Sequence, residues 1–200
     1  MKNKLIGVHG FTGSSKGDWF PWLRTEFEKE DFEVIIHDLP NSQNPIIESW
    51  ISSLAESIQF ETDENTYFIG HSLGCQTILR YLHKFPPKEK VGGAIFVAGF
   101  FDKLTNLDVD EARILSPWLE EKIEFDQVRS RMKKSIAIFS ENDSWVPLTE
   151  SKRDFEDKLG SEIITLSNMG HFSGDDGLTS FPLLKSIFES RFVDDSKESI

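Results

Sequence analysis

Ser72 lies in the string Gly70-His71-Ser72-Leu73-Gly74, directly after the apolar run Tyr67-Phe68-Ile69. A serine hydroxyl is a weak nucleophile at neutral pH and becomes a useful one when a neighbouring base takes its proton. The spacing G-x-S-x-G marks a sharp strand-to-helix turn, the nucleophile elbow, in which the glycines relieve crowding and the serine is lifted above the end of a sheet. Its surroundings fit, because a strand of buried type precedes it and the amphipathic stretch GCQTILRYLHKF follows. Such an elbow calls for an acid and then a histidine further along the chain. Asp143 follows the β-rich run SIAIFS within ENDSWVP, and His171 follows EIITL within SNMGHF. Both come just past the carboxyl end of a strand, where an α/β sheet gathers its reactive groups. The chemistry expected of these residues is acyl transfer: Ser72 attacks a carbonyl, His171 moves the proton and Asp143 orients the imidazole. Asp102, past the run GGAIFVA, and Glu141 compete with Asp143 for the role of the acid.

The first strand runs into HGFTGSS. In an elbow enzyme that loop supplies one N–H of the oxyanion hole and the residue after the nucleophile supplies the other, which points to the amides of Phe11 and Leu73. His9-Gly10 reads as the tight turn that aims the first of these. His71 is expected to pack, and Cys75 is expected to be a small helix-packing residue instead of a thiol nucleophile. Trp19 and Trp145 are candidates for the substrate pocket, although the spacing of Trp19 and Trp22 at a helix start also fits a core. HFSGDDG clusters acids without the alternating oxygen ligands of a calcium loop, and no Cys/His cluster points to zinc. Neither a metal nor a cofactor is expected.

Six short β-rich runs must hold these residues: 4–9, 32–37, 66–70, 92–98, 135–140 and 162–166. Several are almost continuously apolar, as expected of parallel strands covered on both faces. Helical stretches are expected over 19–29, 45–59, 73–83, 149–159 and 181–188, giving a βα alternation with right-handed crossovers. Residues 100–134 are too long for a simple connection; LSPWLEE and FDQVRSRMKK within them read as short helices, and the segment is expected to overhang the site. The fold class is therefore α/β, with a mostly parallel sheet of about six strands and helices on both faces. One domain is expected over 1–193, followed by an acidic, frayed tail at 194–200.

Bulk properties narrow the functions. With 22 Lys and Arg against 34 Asp and Glu, the formal charge is −12, a field that repels nucleic acids and anionic membranes. The apolar run in MKNKLIGVHG is too short for a signal peptide or a span. Cys75 is the single cysteine, which agrees with a reducing compartment, and the cytoplasm is the expected location.

Taken together, HGF-GSS--DWFPWL, GHSLGC, VAGF, ENDSWVP and GHF resemble the small α/β-hydrolases of the YdeN and retinoblastoma-binding-protein-nine type. The resemblance spans nearly the whole chain, and its opening is closer to the bacterial members. It implies a compact α/β-hydrolase fold without a large cap domain and a serine hydrolase whose triad falls on Ser72, Asp143 and His171. The expected function is hydrolysis of small esters or related acyl compounds through an acyl-enzyme on Ser72. The alternative is a protein-interaction module that keeps the fold with little or no turnover, its protein partner unknown.

Overall fold

The computed structural model describes residues 2–84 and 90–193; the expected acidic tail at 194–200 lies outside them. Six strands form one sheet: β1 (Lys4–Val8), β2 (Glu33–Ile36), β3 (Thr66–His71), β4 (Gly93–Val97), β5 (Ser135–Ser140) and β6 (Glu162–Leu166). Their order is β2-β1-β3-β4-β5-β6, and every neighbouring pair is parallel. β4 and β5 are buried along their whole length, which is why their sequences are apolar runs and not alternations.

The helices are α1 (Phe20–Lys29), α2 (Ile47–Ser57), α3 (Leu73–Lys84), α4 (Val109–Glu120), α5 (Phe125–Ser130), α6 (Leu148–Asp154) and α7 (Pro182–Phe188). The chain steps from β1 to β2 in one direction, then returns past β1 to β3 and continues towards β6. Right-handed crossovers therefore place α1 on one face and α2 to α6 on the other. After β6 the chain returns to the first face, where the Phe188 ring of α7 meets Phe27 of α1 at 4.9 Å edge to face. On the opposite face α2 packs on α3 and α3 on α5. The strand order reverses at β1 and β3, and that reversal opens a crevice at their carboxyl ends.

Residues 100–134 depart from expectation in one respect. α4 begins at Val109, six residues before the expected LSPWLEE helix, and contains Pro117 in its interior. Its start is fixed by a capping box: Asp108 Oδ1 accepts the N–H groups of Asp110 and Glu111, while the Glu111 carboxylate accepts the Asp108 N–H. Pro117 lies well past the first turn that proline favours, and the D-x-x-E at 108–111 marks the start of the helix. The far end of α4 is tied to α3 by Arg80, whose guanidinium bonds Glu121 Oε1 at 2.7 Å and the Trp118 carbonyl at 3.1 Å. α6 widens into π-type turns over Phe155–Leu159, closed by Gly160 in the left-handed region at φ 67°. Among the described residues no helix is long and apolar enough to cross a membrane.

Candidate active site

Ser72 occupies the turn between β3 and α3 with φ at 52°, the left-handed region that costs a non-glycine residue about 1 kcal/mol or more. Neighbouring backbone holds it there. Its N–H donates to the Val97 carbonyl of β4 at 2.9 Å, and its own carbonyl accepts the Cys75 N–H at 3.0 Å. Both elbow glycines are required by close approach. A Cβ on Gly70 would lie 2.9 Å from the Cys75 nitrogen, and one on Gly74 would lie 2.6 Å from the His9 carbonyl oxygen and nearer still to that of Val8. The first turn of α3 is thus pressed against the end of β1.

His171 stands on the loop after β6, where Asn168, Gly170 and Phe172 all have φ between 54° and 59°. Side chains from other loops fix this irregular path. The Met169 N–H donates to Ser140 Oγ at 3.1 Å, the Gly170 N–H to Asn142 Oδ1 at 3.0 Å and the His171 N–H to Asp176 Oδ2 at 2.8 Å. Burial works against the charge on Asp176, yet bonds from Ser173 and the His171 amide hold its carboxyl below the usual range. The Trp19 indole N–H donates to the Phe172 carbonyl at 3.0 Å, and the His171 carbonyl accepts the Nε2–H of His71 at 2.7 Å.

Asp143 completes the line. One carboxylate oxygen accepts the N–H groups of Trp145 at 2.8 Å and Val146 at 3.1 Å, and the other accepts Nδ1–H of His171 at 2.9 Å. With the Nδ1 proton committed to the carboxylate, Nε2 is a lone-pair acceptor facing Ser72, whose Oγ–H donates to it across 2.9 Å. The Asp143 side chain is only 3% exposed, so its charge acts on the imidazole with little screening. Asp102 stands apart, 67% exposed and 3.9 Å from Lys158. Glu141 accepts the hydroxyl of Ser167 at 2.6 Å and does not reach the imidazole.

The structure brings Ser72, His171 and Asp143 together, with Phe11 and Leu73 beside them on the wall of one cleft of about 520 Å³. The amide of Leu73, at the first position of α3, has no acceptor within the helix. The end of β1 is fixed by His9, which donates from Nδ1 to the Gly10 carbonyl at 2.9 Å and accepts the Leu39 N–H on Nε2 at 2.9 Å. Trp145 also lines the cleft, its ring inclined by 30° to that of His171 with centroids 6.0 Å apart. Trp19 does not. It is fully buried, stacked on Phe20 at 4.5 Å, because its position at the N-cap of α1 turns the indole into the core. Residues 100–134 contribute Phe100, Leu104 and Leu115 to the apolar wall. Cys75 is buried with its thiol donating to the Val97 carbonyl, and burial pushes that thiol up.

Three supports lay outside the sequence reading. His71 packs as expected, buried with its ring 6.0 Å from that of Trp19, and beyond that it joins Asp176 of HFSGDDG in holding the His171 peptide. Asp18 Oδ1 accepts the Gly174 N–H at 2.7 Å and ties the same loop to the one after β1. An aspartate in a glycine-rich stretch is a signal for backbone anchoring, which was available for Asp176. No sequence signal marks a buried histidine as a donor to a carbonyl 100 residues away.

Residues 5–190 match the model of the family described as serine hydrolase. The chain is 31% identical over 199 residues to the YdeN protein of Bacillus subtilis (strain 168), with both chains covered in full. The crystal structure of the ydeN gene product from B. subtilis is similar with a TM-score of 0.86 at 29% identity, over 96% of this chain and 99% of that one. A carboxylesterase structure from the thaumarchaeon Nitrososphaera gargenis is similar in fold, with a TM-score of 0.73 at 14% identity over 98% of this chain and 92% of the other. Est1E of Butyrivibrio proteoclasticus with ferulic acid bound shares the fold at a TM-score of 0.65 and 15% identity, over 92% and 89% of the two chains. This α/β-hydrolase chain belongs to the serine hydrolase family.

Proposed function

We propose that the protein is a cytoplasmic carboxylesterase-like enzyme that cleaves small ester or related acyl substrates through an acyl-enzyme on Ser72. One observation carries the reading: Ser72 Oγ, His171 and Asp143 form a continuous hydrogen-bonded line at 2.9 Å per link, opening on a cleft. As Oγ attacks the carbonyl carbon, its proton passes to His171 Nε2 and the carbonyl electrons move onto oxygen. The Phe11 and Leu73 amides receive that oxyanion. Collapse breaks the ester bond, the alcohol leaves with the proton from Nε2, and water repeats the sequence to free the acid and Ser72.

Phe100, Leu104 and Leu115 form an apolar side that suits the acyl group, whereas Asp18, Asp175 and Asp176 contribute charge with no Lys or Arg among the described lining residues. A cleft of about 520 Å³ suits a small ligand with an uncharged acyl group. The test is a chain-length series of p-nitrophenyl esters. Acetate and butyrate should exceed laurate and palmitate in kcat/KM, and Ser72→Ala should abolish turnover of all of them. A preference for the long chains would contradict the size assignment, and retained turnover in Ser72→Ala would overturn the mechanism.

A further inference from the structure

His71 is the peptide neighbour of Ser72, yet its side chain binds the peptide of His171. The ring is 5% exposed and its Nε2 lies 2.7 Å from the His171 carbonyl oxygen. A carbonyl can only accept, so the proton of His71 is on Nε2. Nδ1 has no hydrogen-bond partner and lies 3.7 Å from Asp18 Oδ2. The two histidines cross: His171 reaches Ser72, and the residue beside Ser72 reaches back to His171, with the two rings 5.2 Å apart.

We propose that His71 is a positioning residue for the base, fixing His171 relative to Ser72 through the bond from its Nε2–H to the His171 carbonyl. The assignment rests on the hydrolase reading above. The other anchors of the base loop join it to the β5 and α1 ends or close it upon itself. The His71 bond joins the backbone segment carrying the nucleophile to the peptide carrying the base. Nothing else in the triad sets that distance except the reacting contact itself, Ser72 Oγ to His171 Nε2. Loss of the His71 bond lets the imidazole drift, and a displacement of about 1 Å at a reacting pair costs on the order of a hundredfold in rate. Burial, and then the nearby His171, lower the His71 pKa to about 4, so the ring is neutral near neutral pH and Nε2–H is its one donor. Asp18, Asp143 and His171 are the charged or titratable groups that face it.

Two amide replacements test this role, because a glutamine amide nitrogen can reach the place of Nε2 and an asparagine amide nitrogen reaches only that of Nδ1. With p-nitrophenyl butyrate, His71→Gln should keep kcat within about fivefold of wild type. His71→Asn should lose about thirtyfold or more in kcat with KM changed by less than about threefold, since the lost bond aligns reacting atoms and touches no substrate. Equal kcat in the two variants, or a loss confined to KM, would overturn the assignment. Imidazole ¹⁵N NMR of the wild-type protein gives a check that does not depend on variant folding: a proton on His71 Nε2 is expected, and the Nδ1–H tautomer would overturn the proposal. A wild-type chain without esterase turnover would instead overturn the hydrolase reading and this role with it; wild-type turnover with equal Asn and Gln variants would remove only the role of His71.

Discussion

Asp143 gives one carboxylate oxygen to two backbone amides and the other to His171, so its rotamer is set before any substrate arrives. An Asn at this position loses the charge that stabilises the imidazolium and can present its NH₂ to Nδ1, favouring the wrong tautomer. In a well-studied serine protease the equivalent change costs about 10⁴ in turnover. Asp143→Asn should lose at least about a hundredfold in kcat, whereas Asp102→Asn, which breaks a solvent-exposed pairing with Lys158, should stay within about tenfold. Steady-state kinetics on both folded variants check this, and the reverse ranking would move the acid to Asp102. Ser72, His171 and Asp143 were legible in the sequence because each follows a strand end and their chain order is set by the fold class. His71 and Asp176 were not, because their partners are backbone atoms of the irregular loop after β6, and no local pattern encodes where that loop runs.

At the level of elements, the contact between α3 and β1 determines whether Ser72 can stand where it does. Gly74 is the closest point, facing the carbonyl oxygens of Val8 and His9, and both belong to backbone that cannot rotate away. Gly74→Ala should destabilise the protein by about 2 kcal/mol or more, in the upper part of the usual range of about 1–3 kcal/mol for forcing a methyl into a packed interior. Gly17→Ala, whose Cβ would meet its nearest neighbour, Ser14 Oγ, at an ordinary 3.5 Å, should change stability by less than about 0.5 kcal/mol. Urea unfolding of the two variants decides it; equal midpoints would show that the elbow tolerates the methyl and that the packing account is wrong. The strands themselves were plain in the sequence, since runs such as SIAIFS and GGAIFVA are short and almost continuously apolar, as parallel strands covered on both faces are. The start of α4 is marked in the sequence by the D-x-x-E at 108–111, and Pro117 lies well inside the helix.

The molecule as a whole carries a pH dependence of stability through its buried histidines. Burial lowers the pKa of both His9 and His71, the latter to about 4 from an ordinary 6.5. Across that window the unfolded chain binds more protons than the folded one, so stability rises with pH and is lost as acid is added from about 6.5 towards 4. The protein should therefore lose stability between pH 7 and pH 5, and His71→Gln should lose less over the same interval because one of the two groups no longer titrates. Urea midpoints at both pH values check the difference in slope; a variant whose midpoint falls as steeply as wild type would contradict it. The net charge of −12 was read directly from composition, while this histidine linkage required the burial that only the fold supplies.

In the proposed mechanism Ser72 is a nucleophile activated by His171. The most direct measurement is covalent labelling of the intact protein with a fluorophosphonate, followed by peptide mapping of the adduct. A single phosphonylated site at Ser72 is predicted, absent in Ser72→Ala and formed at least about a hundredfold more slowly in His171→Ala. No adduct on the folded wild-type protein, or an adduct at another residue, would remove Ser72 as the nucleophile.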